Sequence, residues 1–374
     1  MLKRCSIESQ KLEKNMPNEL SAVRDFAQTV RYSGDNLTAN EAVKRSNDQM
    51  ESYFSLNSML VSPLVTPIIH KSIEKVIKRL GIPTTSIKAF VYASPEIQAE
   101  CHAGNDVDCI IRLSSGLIDI LENKEIEFVI GHEIGHFIYG HGLASAYSDN
   151  KSLEFSIQKR AQEISADRIG LLASESLDNS IRAMMKVMSG LTTKYLKFDI
   201  GAFLSQLSNT NKNKSQIDVN SSHPSIIVRC RALLWFSMSE TFKSGKRDYQ
   251  LKEVDKLNKR IKADIDKFDD SIARDKIEDL KRNIALWLCA KKIVEDVAFD
   301  SHEQKIFKEM FGQDILNKLK NFMSGYDNAS SLRKSVSEKL KIAKRDLQKE
   351  IPSTFEDEMK LLEKEINSKF KDKK

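Results

Sequence analysis

Val129-Ile130-Gly131-His132-Glu133-Ile134-Gly135-His136-Phe137-Ile138-Tyr139-Gly140-His141 reads as a helix carrying His-Glu-x-x-His. His132 and His136 lie four apart, so they project from one face with Cβ atoms about 6 Å apart. That is close enough for both imidazoles to bind one Zn²⁺ per chain. Glu133 is rotated by about 100° from His132 around the helix. A carboxylate there stands beside the metal, where a base for a zinc-activated water is wanted. A Gly three residues and a His six residues after the second His would mark the metzincin pattern. Tyr139 and Gly142 occupy those positions, which excludes it. His141 lies about 500° of helical rotation beyond His136, so it is expected to point away from the metal and to be structural.

A third ligand is expected downstream, in Gln162-Glu163-Ile164-Ser165-Ala166-Asp167-Arg168. Glu163 and Asp167 share a helix face at i, i+4 spacing. One can ligate zinc while the other accepts the outer N–H of a ligating His. Three protein ligands with one open position is the geometry of catalytic zinc. Alone, the pair reads as a solvated helix face; after an upstream His-Glu-x-x-His, the metal reading is preferred.

Composition narrows the function class. The chain has 374 residues, 40% hydrophobic and 30% charged, with 14 Gly and 7 Pro, which suits a helix-rich fold of two units. A net charge of +6, with basic and acidic residues interleaved, reads as a solvated surface and not as a nucleic-acid footprint. No apolar run reaches the roughly 18–20 residues that span a bilayer, so an integral membrane protein is not expected. The five cysteines (Cys5, Cys101, Cys109, Cys230, Cys289) form no CxxC, and the N-terminus lacks a secretory h-region. Both point to a reducing, cytoplasmic location. Cys101 and Cys109 are expected to be free thiols facing each other across a hairpin.

The fold class expected is α+β, predominantly helical, in three stretches. Residues 1–60 form an N-terminal helical segment, 61–240 the core carrying the chemistry, and 241–374 a charged helical extension for self-association or a partner protein. Within the core, strands at Ile87–Ala93, Glu96–His102 and Val107–Leu113 are expected to make a small antiparallel meander leading into the metal helix. The methionines of Ile181–Leu191 read as core filler. Ser205–Ser222 reads as a loop ending at His223-Pro224, with the amphipathic helix Ile226–Phe236 behind it.

His132-Glu133-Ile134-Gly135-His136, then Glu163-x-x-Ala-Asp167, then His223-Pro224 followed by Arg229, resembles the zinc peptidase family of HtpX and CAAX prenyl protease 1. Ile111–Leu121 looks like that family's lead-in to the metal helix. The resemblance covers about residues 60–240. It implies a zincin-like core of gluzincin type, with His132, His136 and Glu163 on zinc, Glu133 as base and Asp167 behind the ligands. It also implies that His223 reaches the active site, touching the metal region or stabilising the oxyanion, with Arg229 at the family's following Arg. The function expected is zinc-dependent endopeptidase, latent while His223 covers the metal, with the protein or peptide substrate bound as a strand added to the sheet. The alternative is a peptidase-like binding or chaperone-like quality-control protein.

Overall fold

The computed structural model describes residues 50–103, 109–141, 152–210, 223–243, 251–295 and 299–370. Most of the expected N-terminal helical segment, the first two residues of the strand expected at Val107–Leu113 and residues 211–222 of the expected loop lie outside them; 50–57 are helical. The chain divides into two compact units, Met1–Asn150 with Ser156–Asp270, and Lys151–Phe155 with Ser271–Lys374. The sequence reading set a boundary near 240; the first unit runs on to Asp270.

In the first unit, β1 (Met59–Leu60), α1 (Pro67–Leu80), β2 (Ile87–Tyr92), β3 (Ala99–Ala103) and β4 (Cys109–Ser114) lead through the short α2 (Ser115–Ile120) into α3 (Asn123–Ile138). The strand order is β1-β2-β4-β3. β3 pairs antiparallel to β4 from Ala99↔Leu113 to Ala103↔Cys109, as a hairpin should. β2 pairs parallel to β4, from Ile87↔Cys109 to Tyr92↔Ser114. The sheet is therefore mixed, and the expected antiparallel meander is corrected. The physical cause is visible in composition. β4 buries every residue but the half-buried Arg112, and a strand apolar on both faces belongs in a sheet interior. β3 carries Glu100 and His102, polar residues that suit an edge. Cys101 and Cys109, both free thiols, bring their Sγ atoms to 3.2 Å across this hairpin.

α3 is the core's central element. Ile126, Phe128, Val129, Ile130, Ile134 and Ile138 are all buried, so the helix is apolar around most of its circumference and covered on all sides. Its start is fixed by Glu122, the N-cap, whose N–H donates to the Glu125 carboxylate at 2.7 Å. α4 (Leu153–Ser174), α5 (Leu177–Ser189), α6 (Ile200–Thr210), α7 (Ile226–Met238), the one-turn α8 (Glu240–Lys243) and α9 (Leu251–Phe268) follow. α6 takes in 205–210, which the Asn/Ser-rich composition suggested were loop. Met184 and Met185 are core, as read, while Met188 is half exposed.

The approach of α4 to α3 is set by small residues. A Cβ on Gly131 would collide with the Ala173 Cβ, and one on Gly135 would come within 2.9 Å of the Ala166 Cα. On α4, a Cβ on Gly170 would meet the Phe128 ring at 2.8 Å. Backbones can approach this closely only where side chains are missing, and there is no flexible neighbour to yield.

The second unit holds α10 (Ser271–Glu295), α11 (Ser301–Phe311), α12 (Gln313–Ser324), α13 (Ala329–Glu350) and α14 (Phe355–Lys369). Ile293, Phe307, Leu319, Val336 and Ile366 make one core cluster. Ile284, Leu340, Leu347, Phe355 and Met359 make another. Ile284, Ile293, Phe307 and Leu316 thus lie in the buried core of a helical bundle. No helix among the described residues is long and apolar enough to cross a membrane.

Two consequences can be measured. A helix-interior Gly→Ala change ordinarily stabilises by up to about 1 kcal/mol. At Gly135 the sign should reverse, with overpacking costing about 1–3 kcal/mol, seen as a lowered thermal midpoint. The second concerns Asp269, just past α9, whose buried carboxylate accepts the Ser225 N–H at 3.0 Å. Burial, with the charges of Asp270 and Asp264, outweighs Ser225 and Arg160 and pushes Asp269 up to about 7. A carboxyl with a raised folded pKa binds protons better folded than unfolded. Its contribution is therefore best at about pH 4 and below, and is lost as pH rises toward 7, with a slope of at most about 1.4 kcal/mol per pH unit. Asp269→Asn should flatten that slope and raise the melting temperature at pH 8, read by calorimetry across pH 4–8.

Candidate metal centre

The two histidines of α3 turn their rings toward each other, Nε2 to Nε2 at 3.1 Å. Each ring is held from behind. His132 Nδ1 lies 3.0 Å from Asp167 Oδ1, and His136 Nδ1 lies 3.1 Å from His141 Nδ1. The His141 contact depends on how α3 ends. Gly140 takes a left-handed φ of 66°, which favours glycine. The His141 N–H then donates back to the His136 carbonyl at 2.9 Å, and the Gly140 N–H to Phe137 at 3.0 Å. This paired 6→1 and 5→2 arrangement is a Schellman turn. It folds His141, buried and stacked on Tyr139, under His136. The expectation that His141 points away from the metal assumed that the helix continued; it stops at Ile138. The sequence signal that would have found it is Gly140 at the position after a helix C-cap. Lys159 adds to this shell, its ammonium donating to the His141 carbonyl at 3.2 Å.

α4 delivers both carboxylates on one face, as their spacing required. Glu163 Oε1 lies 3.3 Å from His136 Nε2 and Oε2 lies 3.5 Å from His132 Nε2. Bonds of about 2.0–2.1 Å in a tetrahedral zinc site separate the donors by about 3.3 Å. The three donors, all within 4.8 Å of one another, therefore already have the spacing of a metal shell. With the Nδ1 protons turned to Asp167 and His141, the two Nε2 atoms present lone pairs to each other beside a carboxylate. That convergence is repulsive until a cation occupies it, so the residues fit a divalent metal.

Arg229, from α7, ties the carboxylates together. It donates to Asp167 Oδ2 at 2.8 Å and Oδ1 at 2.6 Å and lies 3.0 Å from Glu163 Oε2. All three side chains are buried, and a buried charge is tolerated only when paired and hydrogen-bonded. Burial alone would raise Glu163 and Asp167. The guanidinium, with the imidazoles His136 and His132 at Glu163 and His132 at Asp167, outweighs burial and keeps both ionised: Glu163 well below its usual range, Asp167 below it. Burial likewise disfavours a charged His132, but the Asp167 hydrogen bond and the Glu163 charge raise it.

His223, exposed, reaches the same place: its Nε2 lies 3.6 Å from Glu163 Oε1. Glu133 is buried and lines a cavity of about 330 Å³ together with His132, Glu163, His223 and Arg229. Among the described residues no hydrogen bond or ion pair holds its carboxylate. All seven residues singled out in the sequence thus converge, although they come from α3, α4, α7 and the segment before α7.

His141→Phe keeps a ring of similar size but removes the acceptor behind His136. Losing such a partner costs about 10–100-fold in metal affinity, measurable by competition with a chromophoric chelator; unchanged affinity would deny His141 a positioning role.

Residues 63–157 match the family model Peptidase family M48. Metalloprotease YcaL of Escherichia coli (strain K12) is 38% identical over 76 residues, 20% of this chain and 28% of that protein. Plastoglobule-localized metallopeptidase 48, chloroplastic, of Arabidopsis thaliana is 23% identical over 214 residues, 50% of this chain and 62% of the relative. A Protease HtpX homolog of Methanocaldococcus jannaschii is 27% identical over 82 residues, 22% of this chain and 28% of that one. The matches span less than two thirds of each of these relatives. No solved structure matches. The matched stretch carries His132, Glu133 and His136, and Glu163, Asp167, His223 and Arg229 join it from beyond its end. The likeness to peptidase family M48 thus lies in residues 63–157, the stretch that carries the metal helix.

Proposed function

We propose that this chain is a zinc-dependent endopeptidase, with His132, His136 and Glu163 as ligands and Glu133 as general base. The observation that carries the reading is the convergence of two imidazole Nε2 atoms and the Glu163 carboxylate at 3.1–3.5 Å, beside the buried Glu133 carboxylate, which no hydrogen bond or ion pair holds among the described residues. Zinc held there would supply Lewis acidity, making water acidic enough to deprotonate near neutral pH and polarising a carbonyl oxygen.

The chain's own residues do the rest. Glu133 takes a proton from the attacking water and delivers it to the leaving amine as the peptide C–N bond breaks. Asp167 and His141 hold the ring orientations of His132 and His136, and Arg229 holds both carboxylates in register. His223 donates a hydrogen bond to the oxyanion of the tetrahedral species; its placement 3.6 Å from Glu163 supports that reach. A resting state in which His223 covers the open position and keeps the enzyme latent is the companion reading of the same contact. β3 is the sheet edge for an added substrate strand. Among the described residues nothing pairs with its outer side, while β4 is paired on both sides.

Glu133→Gln should abolish proteolysis of casein while the zinc content stays at one per chain; retained cleavage would sink the mechanism. His223→Ala separates its two roles. A rise in basal turnover points to latency, and a loss of about 10²–10³-fold in kcat to an oxyanion donor.

A further inference from the structure

Seven of the thirteen large hydrophobic side chains exposed among the described residues fall between Tyr53 and Ile68, a concentration that scattered surface residues do not produce. They centre on the turn between β1 and α1. Leu64 is 92% exposed, Val65 and Ile68 61% each, and Met59 52%. Side chains so exposed project from the surface and do not line a groove. The turn beneath them is closed on itself. The Ser62 N–H donates to Thr66 Oγ1 at 3.0 Å, and the Val65 N–H to Ser62 Oγ at 3.2 Å. The Thr66 N–H donates to the Ser62 carbonyl at 3.0 Å, while Pro63 and Pro67 have no N–H to satisfy. A segment that meets its backbone donors internally can leave water without the cost of an unmet polar group.

The helix that follows supplies charge of one sign. Ile68, Lys71, Lys75 and Lys78 lie within about 80° of one another around α1, and all four are exposed. Lys75 also lies 3.4 Å from Glu127 Oε1. Glu74, the one acidic residue of α1, stands 3.6 Å from His70 Nδ1. The first turn of α1 has no acidic residue and no side-chain cap, so the positive end of its dipole is open on the same side. A projecting apolar point with a basic flank fits an anionic lipid surface. Its aliphatic groups enter the acyl boundary while the lysines stay at the level of the phosphates. A protein groove would have to be shaped to receive the point; a fluid lipid layer does not. We propose that residues 59–68 form a wedge that docks this chain peripherally on anionic membranes, with Lys71, Lys75 and Lys78 among the headgroups. β1 and β3 are the two ends of the sheet, so docking through the segment after β1 leaves the β3 edge uncovered.

The test uses the full chain with lipid vesicles and reads binding alone, so its outcome is separate from the peptidase reading. In flotation the chain should rise with vesicles of equal parts phosphatidylcholine and phosphatidylserine. Binding to phosphatidylcholine alone should be about tenfold weaker or less, and the anionic binding should fall as salt rises. Leu64→Glu combined with Val65→Glu should weaken binding at least about 100-fold, since each aliphatic side chain taken out of water contributes about tenfold or more. Both side chains are exposed, so the melting curve of that variant should match the unmodified chain. Lys71→Gln combined with Lys78→Gln should cost roughly 10–30-fold and most of the preference for phosphatidylserine. Val65→Trp reports depth: relative to the unmodified chain, its added emission should shift to the blue, and be quenched by brominated acyl chains, only with anionic vesicles. No flotation of the unmodified chain, flotation that the double Glu variant retains, or a Val65→Trp emission that lipid does not move overturns the wedge. So does an emission already blue before lipid is added, which would mean that another part of the chain or a second copy covers the site.

Discussion

The close approach of α3 and α4 is the constraint on which the rest depends. Gly131 and Gly135 stand one turn apart on α3, facing Ala173 and Ala166 of α4, so nothing wider than a methyl group separates the backbones there. One helix supplies two imidazoles and the other a carboxylate, and a metal bond of about 2 Å leaves little tolerance in their separation. A single added methyl at Gly135 therefore threatens stability and ligand geometry together. The motif residues Glu133, His132 and His136 are what chemistry needs, while the two glycines between and before them are what packing needs. Both demands fall on one short run of helix.

Around this contact lies a buried network that holds only as a whole. Arg229, Asp167, Glu163 and His132 are each too deeply buried to be charged alone, and removing one partner of a buried pair costs about 3–5 kcal/mol. Their mutual hydrogen bonds keep both carboxylates ionised and leave Nε2 of His132 turned toward His136 and Glu163. α7, which supplies Arg229, is thereby locked to α4, and the segment carrying His223 is anchored at Ser225 on both sides. The Ser225 hydroxyl caps α7 through the Val228 N–H, and its own N–H is held by Asp269. The exposed His223 ring thus rides on a fixed base, which suits a group that approaches and leaves the site.

How much of this was legible in the sequence depended on how local the physics was. The His pair, Glu133 and the Glu163/Asp167 pair follow from helical periodicity, which is a property of adjacent turns. Ser114 as the cap of α2, accepting the Leu117 N–H at 3.1 Å, follows from side-chain chemistry over three residues. His141 was misread for an equally local reason: extrapolating 3.6 residues per turn past Gly140 ignored the turn that glycine permits. The sheet was misread for a non-local one. Sequential strands were expected to pair in order, but insertion of β4 between β2 and β3 is decided by which strand can bury both faces, a comparison among all of them.

The sequence by itself determined the candidate donors, His132, His136, Glu133, Glu163 and Asp167, and the helices that carry them, because donor type and helical phase are written in the chain. Only the tertiary structure decided how they meet. The separation of α3 and α4, the two-pronged hold of Arg229 on Asp167 and Glu163, the return of His141 and the cavity beside Glu133 all arise between segments distant in sequence. Their geometry follows from packing the whole core at once, and no local pattern encodes it.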